Sequence, residues 1–476
     1  MFRWCIVISI LLSSVAFAYD KVAESKTNAQ ASNEKCIKCH NSATPGIVKQ
    51  YLDSPMTKLS KKPVLCVDCH SADHKTVDDA FKAKLPTADI CAEKCHTKEL
   101  EQMREGKHNL AWFGMKSEVS YHGQAAPVAG GVIGYQGCSG CHKIGQKGLM
   151  GIQQGITGEL ENDGGQEISQ YRYGNAQCDS CHTRHSFKKT EAKDPRACSN
   201  CHMGFDHPQW EMYMSSKHGV IWDIEGNKNT GGRTPTCQQC HMAEGSHVVK
   251  TSWGFLALRF PLKHNVLALV ETHPKLKKSL TKLARLLPSG NYEGLDDDPQ
   301  WTWDRILILQ AIGILDADLQ PTERFIEIVM QAGAGTGPTE FNKLRAEMSG
   351  ICSDCHANDF INSYFNASDN IVKLADHEFA KAIQAVRSLY EDGLLQMPED
   401  WNYAPDLLQF YNTNNKIEQE LYFIMRKYRQ RAFQGAFHAS NDYMHWYGWA
   451  PLKSSVNVIL EGAKQMRKVA KETQAK

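Results

Sequence analysis

The chain has 476 residues, of which 42% are hydrophobic, and its 54 basic and 53 acidic residues leave a formal net charge of +1. This composition is typical of a globular protein, and the length allows more than one domain. The balanced charge gives no basic excess of the kind that nucleic-acid binding requires, so no nucleic acid is expected as a partner.

The first 18 residues are typical of a secretory signal. An apolar run covers residues 4–17, and Ala16-Phe17-Ala18 has the small-x-small pattern of a cleavage site. We therefore expect residues 1–18 to be removed during export, leaving a periplasmic chain that begins at Tyr19. Only the cleavage site separates a signal from an anchor, so an uncleaved membrane anchor stays open as the alternative. No later apolar run reaches the length of a membrane span, and a soluble mature chain is expected.

The cysteines carry the strongest pattern in the chain. Of 17 cysteines, Cys5 lies in the predicted signal, and the other 16 form eight pairs, each followed directly by a histidine. A disulfide scaffold, a zinc site or an iron–sulfur cluster would not require a histidine after every second cysteine. The eight motifs are Cys36/Cys39/His40, Cys66/Cys69/His70, Cys91/Cys95/His96, Cys138/Cys141/His142, Cys178/Cys181/His182, Cys198/Cys201/His202, Cys237/Cys240/His241 and Cys352/Cys355/His356.

This pattern predicts eight covalently bound haem c groups. In a Cys-x-x-Cys-His motif the two thiols add to the haem vinyl groups, and the histidine becomes the fifth ligand of the iron. The third motif has one extra residue between Cys91 and Cys95, yet it keeps every other element, so haem is expected there too. The chain contains no nucleotide-binding fingerprint and gives no sign of NAD or flavin.

Each iron needs a sixth ligand or an open position, and twelve histidines remain to supply it. An electron carrier would use eight of them, whereas an enzyme would use seven and leave one iron open to substrate, and the count permits either. The expected distal ligands are His74, His108, His122, His185, His218 and His247. Met56, His377 and His438 are further candidates, although a methionine more often fills a core gap.

The predicted fold is mainly α, with helices and loops wrapped around the haems and very little sheet. After the predicted signal, residues 19–356 form the haem-binding domain and residues 357–476 a C-terminal helical domain. Apolar side chains recur with helical spacing from Phe379 to Tyr390 and from Ile417 to Tyr428, which predicts two long helices there. These helices suit subunit packing, and an ordinary intramolecular pair is the alternative.

Several local sequences resemble the octahaem hydroxylamine oxidoreductase family, which is related to pentahaem ammonia-forming nitrite reductases. They are Pro86-Thr87-Ala88-Asp89, the run from Cys178 to Phe187, Asp206-His207-x-x-Trp210, Ser216-Lys217-His218-Gly219 and Gly448-Trp449-Ala450-Pro451-Leu452. The resemblance covers nearly the whole mature chain. It implies a mainly helical, often trimeric periplasmic enzyme that acts on small nitrogen oxides.

Carried over by position, the resemblance places the catalytic haem on the fourth motif, with His142 as its only protein ligand. Asp206 and His207 match the family's acid–histidine pair on the substrate side, where a histidine oriented by a carboxylate can donate protons. The expected redox partner is a membrane-bound or soluble cytochrome c.

One departure from the family bears on the direction of the reaction. In members that oxidise hydroxylamine, a tyrosine before the Gly-Trp-x-Pro segment bonds covalently to the catalytic haem of a neighbouring subunit. Ungapped alignment places His445 there, with Tyr443 and Tyr447 two residues away on either side. We therefore expect a reductase that converts nitrite or hydroxylamine to ammonium. Hydroxylamine oxidation by a tyrosine-linked haem is the first alternative, and a non-catalytic electron-transfer cytochrome is the second.

Overall fold

The computed structural model describes residues 33–58, 64–83, 86, 88–93, 95–111, 141, 178–182, 185–205, 207–225, 232–254, 257–295, 298–325, 337–398, 401, 405–407 and 415–475. Helices dominate these ranges, and within them there is no β-strand, only an isolated bridge between Leu315 and Pro321. The prediction of a mainly α protein is confirmed. No helix in the described ranges combines the length and the apolar character needed to span a bilayer.

The α-helices differ greatly in length along the chain. In order they are α1 (Glu34–Ala43), α2 (Pro45–Asp53), α3 (Pro55–Lys58), α4 (Cys66–His70), α5 (Ala88–Ala92), α6 (Thr97–Glu105), α7 (Lys189–Ala192), α8 (Arg196–Ser199), α9 (Gln209–Ser215), α10 (Lys217–Glu225), α11 (Cys237–His241), α12 (Lys263–Thr272), α13 (Lys277–Leu286), α14 (Pro299–Ala311), α15 (Glu323–Phe325), α16 (Pro338–Ser353), α17 (Asn358–Glu391), α18 (Lys416–Phe423), α19 (Arg429–Phe437), α20 (Asn441–Tyr443) and α21 (Ala450–Gln474).

Shorter turns of other types join these helices. Two π-helical turns cover Ile424–Tyr428 and Met444–Trp449. The 3-10 turns are Val77–Lys82, Lys107–Leu110, Cys178–Ser180, Ala243–Gly245 and Pro274–Leu276.

The chain divides into two compact units. The first comprises Met1–Glu101 and Lys143–Ala197, and the second comprises Gln102–His142 and Cys198–Lys476. The second unit continues across the predicted domain boundary at residue 356, although α17 does begin close to it, at Asn358. The division of the chain into a haem-binding domain and an oligomerisation domain stays a prediction.

The core of the second unit is built around α17. This helix packs against α14, α19 and α21, and the predicted apolar stripe from Phe379 through Ile383 and Val386 is buried. It ends at Glu391, and Gly393 follows with a positive φ of 67°, a conformation in which glycine avoids a Cβ clash. The stripe predicted from helical spacing is confirmed here because the buried face of α17 is continuous.

The second predicted helix differs from its expected form. The spacing predicted one α-helix through Tyr428, but the structure changes to a π-turn after Phe423 and returns to α-helix at Arg429. A π-turn accommodates one more residue than an α-turn, so it shifts the register of the helix that follows. In that register Arg429 reaches the buried Asp376 of α17 at 2.7 Å.

Candidate haem centres and catalytic site

Five pairs of histidine rings lie at nearly the same spacing, and each pair contains one histidine that ends a cysteine motif. The distance between the two ring centroids is 6.0–6.2 Å in every pair. The pairs are His40–His74 and His70–His185 in the first unit, and His108–His202, His218–His356 and His241–His438 in the second.

This spacing fits an iron atom held between two imidazoles. A metal–nitrogen bond of about 2.0 Å and roughly 1.1 Å from that nitrogen to the ring centre, counted on both sides, give about 6.2 Å between centroids. The two members of each pair are separated in sequence, so the tertiary fold brings them together. The residues present therefore fit haem groups with two axial histidines.

In two of these rings a hydrogen bond at Nδ1 fixes the orientation of the ring. Asp79 holds Nδ1 of His74 at 3.1 Å, and the carbonyl of Gln434 accepts from Nδ1 of His438 at 2.7 Å. Because Nδ1 is engaged in each ring, Nε2 is the nitrogen left to bind a metal. Backbone N–H groups of Thr76 and Lys75 also hold the pKa of the Asp79 carboxyl well below its usual range.

The protonation state of the buried pair also suits ligation. Burial lowers the pKa of His241 to about 4, with smaller effects from the neighbouring His438, His202 and His108. Burial lowers the pKa of His438 as well. Both rings are therefore neutral at pH 7, which is the form that binds a metal.

Thiols of different motifs lie in contact within the first unit. Cys36 and Cys66 of the first two motifs hydrogen-bond each other. Cys91 of the third motif and Cys178 of the fifth make the same contact. Haems attached to these cysteines would therefore lie close together, as fast electron transfer requires.

The second cysteines of the motifs differ in exposure. Cys39 on α1, Cys95 and Cys355 are exposed, and a haem attached to them would cover thiols that the polypeptide leaves open to solvent. None of the motif cysteines in the described ranges forms a disulfide, so their thiols suit the predicted thioether bonds. The half-buried second cysteines are Cys69, Cys141, Cys181, Cys201 and Cys240.

In the fifth and eighth motifs the same backbone turn places the histidine beside the first cysteine of its motif. In the fifth motif the His182 N–H donates to the carbonyl of Cys178 at 2.9 Å, four residues back, and the Cys181 N–H donates to the same carbonyl at 3.4 Å. The eighth motif repeats this turn, with 2.9 Å from the His356 N–H to the carbonyl of Cys352. This turn suits His182 as the predicted proximal ligand of its haem, and the ligand on the opposite side also stays a prediction.

The third motif closes its turn in spite of its extra residue. In the sixth motif the His202 N–H donates to the carbonyl of Cys198 at 2.9 Å, four residues back. In the third motif the His96 N–H donates to the carbonyl of Cys91 at 3.2 Å, five residues back. The wider turn absorbs the additional residue, so the histidine still returns to the first cysteine of its motif.

The predicted catalytic residues are only partly within the described chain. Cys138, His142, Asp206 and the predicted distal ligand His122 lie outside the described residues. Cys141 of the fourth motif is described, and its thiol hydrogen-bonds the Cys201 thiol of the sixth motif. His207 lies close enough to lower the pKa of the Cys141 thiol, after the larger effect of Cys201. His207 therefore lies near the Cys141 thiol, the part of the fourth motif that the structure describes.

The His207 ring has a defined orientation. Its Nδ1 lies 3.0 Å from the carbonyl oxygen of Met203, and a carbonyl can only accept, so Nδ1 carries a proton and donates. The opposite nitrogen, Nε2, accepts a hydrogen bond when the ring is neutral and donates when the ring is protonated. The ring centroid lies 6.3 Å from that of His202, about the same spacing as in the five pairs, so His202 has two histidine neighbours, His108 and His207.

Comparison with known proteins agrees with these centres. The family model described as "Seven times multi-haem cytochrome CxxCH" matches residues 62–266 and 338–400, more than half of the chain. The chain belongs to this family of multihaem cytochromes. The matched residues contain seven of the motifs, from Cys66 to His356, and the motif at Cys36 precedes them. The cytochrome therefore carries covalently bound haem c.

The related proteins confirm the resemblance to hydroxylamine oxidoreductases. A Kuenenia stuttgartiensis protein described as a "Probable nitrite reductase-hydroxylamine oxidoreductase fusion protein" is 23% identical over 527 aligned residues, which include 92% of this cytochrome and 52% of the relative. The cytochrome thus spans about half the length of that relative.

Two solved structures share the fold. A Kuenenia stuttgartiensis "reducing HAO-like protein complex" matches with a TM-score of 0.57 and 20% identity, covering 95% of this cytochrome and 88% of that chain. A "Hypothetical multiheme protein" matches with a TM-score of 0.61 and 19% identity, covering 96% and 99%.

The remaining candidate ligands have separate surroundings. The ring of His377 contacts Asp304 through Nδ1 at 2.9 Å, and Met56 lies on α3. The backbone N–H of His247 donates to the Gln102 side chain at 3.1 Å. His438, by contrast, faces the motif histidine His241, although it is far from any motif in sequence and has no local signal that could have singled it out.

The tyrosines near the C-terminus of this cytochrome differ in exposure. Tyr443 is buried and stacks on Tyr447 at 4.7 Å between ring centroids, whereas Tyr447 is 52% exposed. His445, at the aligned position, is exposed and contacts Trp446. Tyr447 is therefore the tyrosine more accessible to a second molecule, and a bond between it and a haem stays the alternative prediction.

Proposed function

We propose that this cytochrome reduces nitrite or hydroxylamine to ammonium in the periplasm, at the haem of the fourth motif. The observation that supports this most directly is the position of His207, whose Nδ1 is held by the carbonyl of Met203 and which lies near enough to Cys141 to lower the pKa of that thiol. His142 would be the only protein ligand of this haem, so that its iron can bind the substrate nitrogen. The name of the Kuenenia relative agrees with this chemistry but does not decide its direction.

The residues around the substrate must supply the protons that the reaction consumes. Reduction of nitrite to ammonium consumes six electrons and eight protons, and reduction of hydroxylamine consumes two electrons and three protons. The bound haem would supply an iron that holds the substrate nitrogen and passes electrons to it. His207 would donate protons through Nε2 and hydrogen-bond a substrate oxygen, and Asp206 would assist it.

The other motifs would supply the electrons. We propose eight haems, of which five would each be held by a pair of histidines and would therefore suit electron transfer rather than substrate binding. The contact between Cys141 and Cys201 supports electron delivery to the fourth motif from the sixth, whose histidine pairs with His108.

The proposal also includes export of the protein, its redox partner and its assembly. Residues 1–18 would direct export and be removed, because covalent haem attachment and the sequence of that segment both fit an exported protein. A membrane-bound or soluble cytochrome c would donate electrons, and the mature chain would assemble as a homotrimer.

The proposal is tested by turnover of the purified, haem-loaded protein with reduced viologen, offering nitrite and hydroxylamine separately. Ammonium formation together with a reduced spectrum that contains only ordinary c-type bands would support it. Hydroxylamine oxidation with an additional band at longer wavelength would support the tyrosine-linked alternative, for which Tyr447 is the accessible residue. Absence of turnover with either compound would favour a non-catalytic electron carrier.

A further inference from the structure

The segment that carries His207 is a short loop between the sixth motif and α9. Its described residues contain no helical turn, and Gly204 adopts a positive φ of 96° that a side chain would strain. The loop therefore has little intrinsic order of its own. Its orientation depends on the contacts that other elements make with it.

Two hydrogen bonds hold the peptide unit between Met203 and Gly204. Its carbonyl oxygen accepts from Nδ1 of His207, and its N–H donates to Oε1 of Glu211 on α9 at 3.0 Å. A peptide unit is planar and rigid, so a partner at the N–H end also fixes the direction of the carbonyl end. The bond to a carboxylate is charge-assisted, and polarisation of the peptide strengthens the carbonyl as an acceptor.

The next two carbonyl groups of the loop have a common donor. Nη2 of Arg431 donates to the carbonyl of Phe205 at 3.0 Å and to the carbonyl of Gly204 at 3.3 Å. Arg431 lies on α19, directly after the π-turn that shifts the register of this helix. The loop is thus held by two side chains of opposite charge, Glu211 at an N–H group and Arg431 at two carbonyl groups.

The base from which Arg431 extends is rigid. Two residues before it, Arg429 forms a buried ion pair with Asp376 of α17, which also accepts from the Trp301 indole at 2.9 Å. The backbone of the following residue, Ala432, is in contact with Gly448, where a Cβ would collide with it. Arg431 therefore ties the loop to a firmly packed part of the helical core.

We propose that Glu211 and Arg431 are positioning residues that fix the Met203–His207 loop, and through it the orientation of the His207 ring toward the fourth motif. The effect of these residues on catalysis rests on the proposed function. Neither side chain need touch the substrate, because each acts through the backbone that His207 bonds. Without them the ring keeps its local bond to Met203 but the whole loop moves relative to the helical core.

The expected effect is on turnover rather than on substrate binding. Displacement of a catalytic group by about 1 Å can cost about 100-fold in rate, so Arg431→Gln should lower kcat by roughly 10- to 100-fold. The iron that binds the substrate belongs to the fourth motif and not to this loop, so KM should change by less than about twofold. Arg431→Lys retains a charged donor, and we expect it to recover a substantial part of kcat.

The test uses the haem-loaded full chain and two measurements, steady-state kinetics with nitrite and amide hydrogen exchange of the peptide that contains residues 203–207. Arg431→Gln should increase exchange in this peptide by about tenfold or more, and Glu211→Gln should do so independently if the arginine variant does not fold. Arg467→Gln is the matched control, because Arg467 on α21 forms an exposed ion pair with Asp392, the residue that follows α17. It should change neither kcat nor exchange in the loop.

Two results would overturn the inference. One is unchanged kcat and unchanged loop exchange in both Arg431→Gln and Glu211→Gln. The other is a loss of kcat with unchanged exchange and no recovery in Arg431→Lys, which would mean that Arg431 contacts the substrate directly. If the wild-type protein does not turn over nitrogen compounds at all, the proposed function fails, whereas the exchange measurement still decides whether these residues hold the loop.

Discussion

Replacement of His438 by leucine tests whether the paired rings are axial ligands. His438 faces His241 of the seventh motif at 6.2 Å between ring centroids, so the variant should leave the iron of that motif with one ligand. Leucine retains apolar volume and leaves the Gln434 carbonyl without this donor, a loss of about 1 kcal/mol that the second unit should tolerate. The haem itself stays attached through Cys237 and Cys240.

The size of the effect follows from the number of open irons. In the wild-type protein we expect one haem per chain to bind carbon monoxide when reduced, that of the fourth motif. The His438→Leu variant adds a second, so carbon monoxide uptake per chain should double, and one more of the ferric haems should become high-spin in electron paramagnetic resonance. The total of covalent haem should not change.

The matched control is His377→Leu. His377 is also a candidate ligand by sequence, but the contact that the structure gives its ring is with Asp304 of α14, whereas the ring of His438 faces a motif histidine. Its replacement should leave carbon monoxide uptake and the number of high-spin haems at wild-type values. Unchanged uptake in the His438 variant, or an equal increase in the His377 variant, would refute the assignment of these rings.

Two further predictions concern stability. Asp376→Asn should lower the free energy of unfolding by about 3 kcal/mol, because it leaves Arg429 charged and buried without its carboxylate. Asp392→Asn, at an exposed ion pair, should lower it by less than about 1 kcal/mol. Similar losses for the two variants in chemical denaturation would contradict this prediction. Burial raises the pKa of Glu418, whose carboxylate accepts from the Tyr390 hydroxyl, so its contribution to stability is present at acid pH and lost as pH rises through the raised pKa. Glu418→Gln should therefore gain stability relative to wild type as pH rises, and parallel stability–pH curves for the two proteins would be the contrary result.

Features encoded by local spacing could be predicted from the sequence. The cysteine motifs and the family are confirmed by the match to a multihaem model, since each motif lies within a few consecutive residues. The apolar stripe from Phe379 to Val386 is confirmed because the side chains of one helix face follow a fixed period. This stripe can be predicted from the spacing along one helix, without knowing which helices pack against it.

Features that depend on distant residues could not be predicted in the same way. His438 lies opposite His241 only because the end of α19 and the seventh motif meet in the folded chain. The π-turn before Arg429 interrupts a pattern that is typical of continuous helix, and its register matches a partner, Asp376, on another helix. The orientation of His207 depends on the carbonyl of Met203, and the direction of a backbone carbonyl cannot be predicted from the types of the neighbouring side chains.

We expect one haem near His207 to reduce nitrite with protons supplied through that residue. The most direct measurement is the ratio of electrons drawn from reduced viologen to ammonium formed from isotopically labelled nitrite, in the wild-type protein and in His207→Gln. We expect six electrons per ammonium in the wild type and a kcat about 100-fold lower in the variant, whose amide cannot donate a proton in this way. No labelled ammonium from the wild-type protein, or an undiminished kcat in His207→Gln, would contradict it.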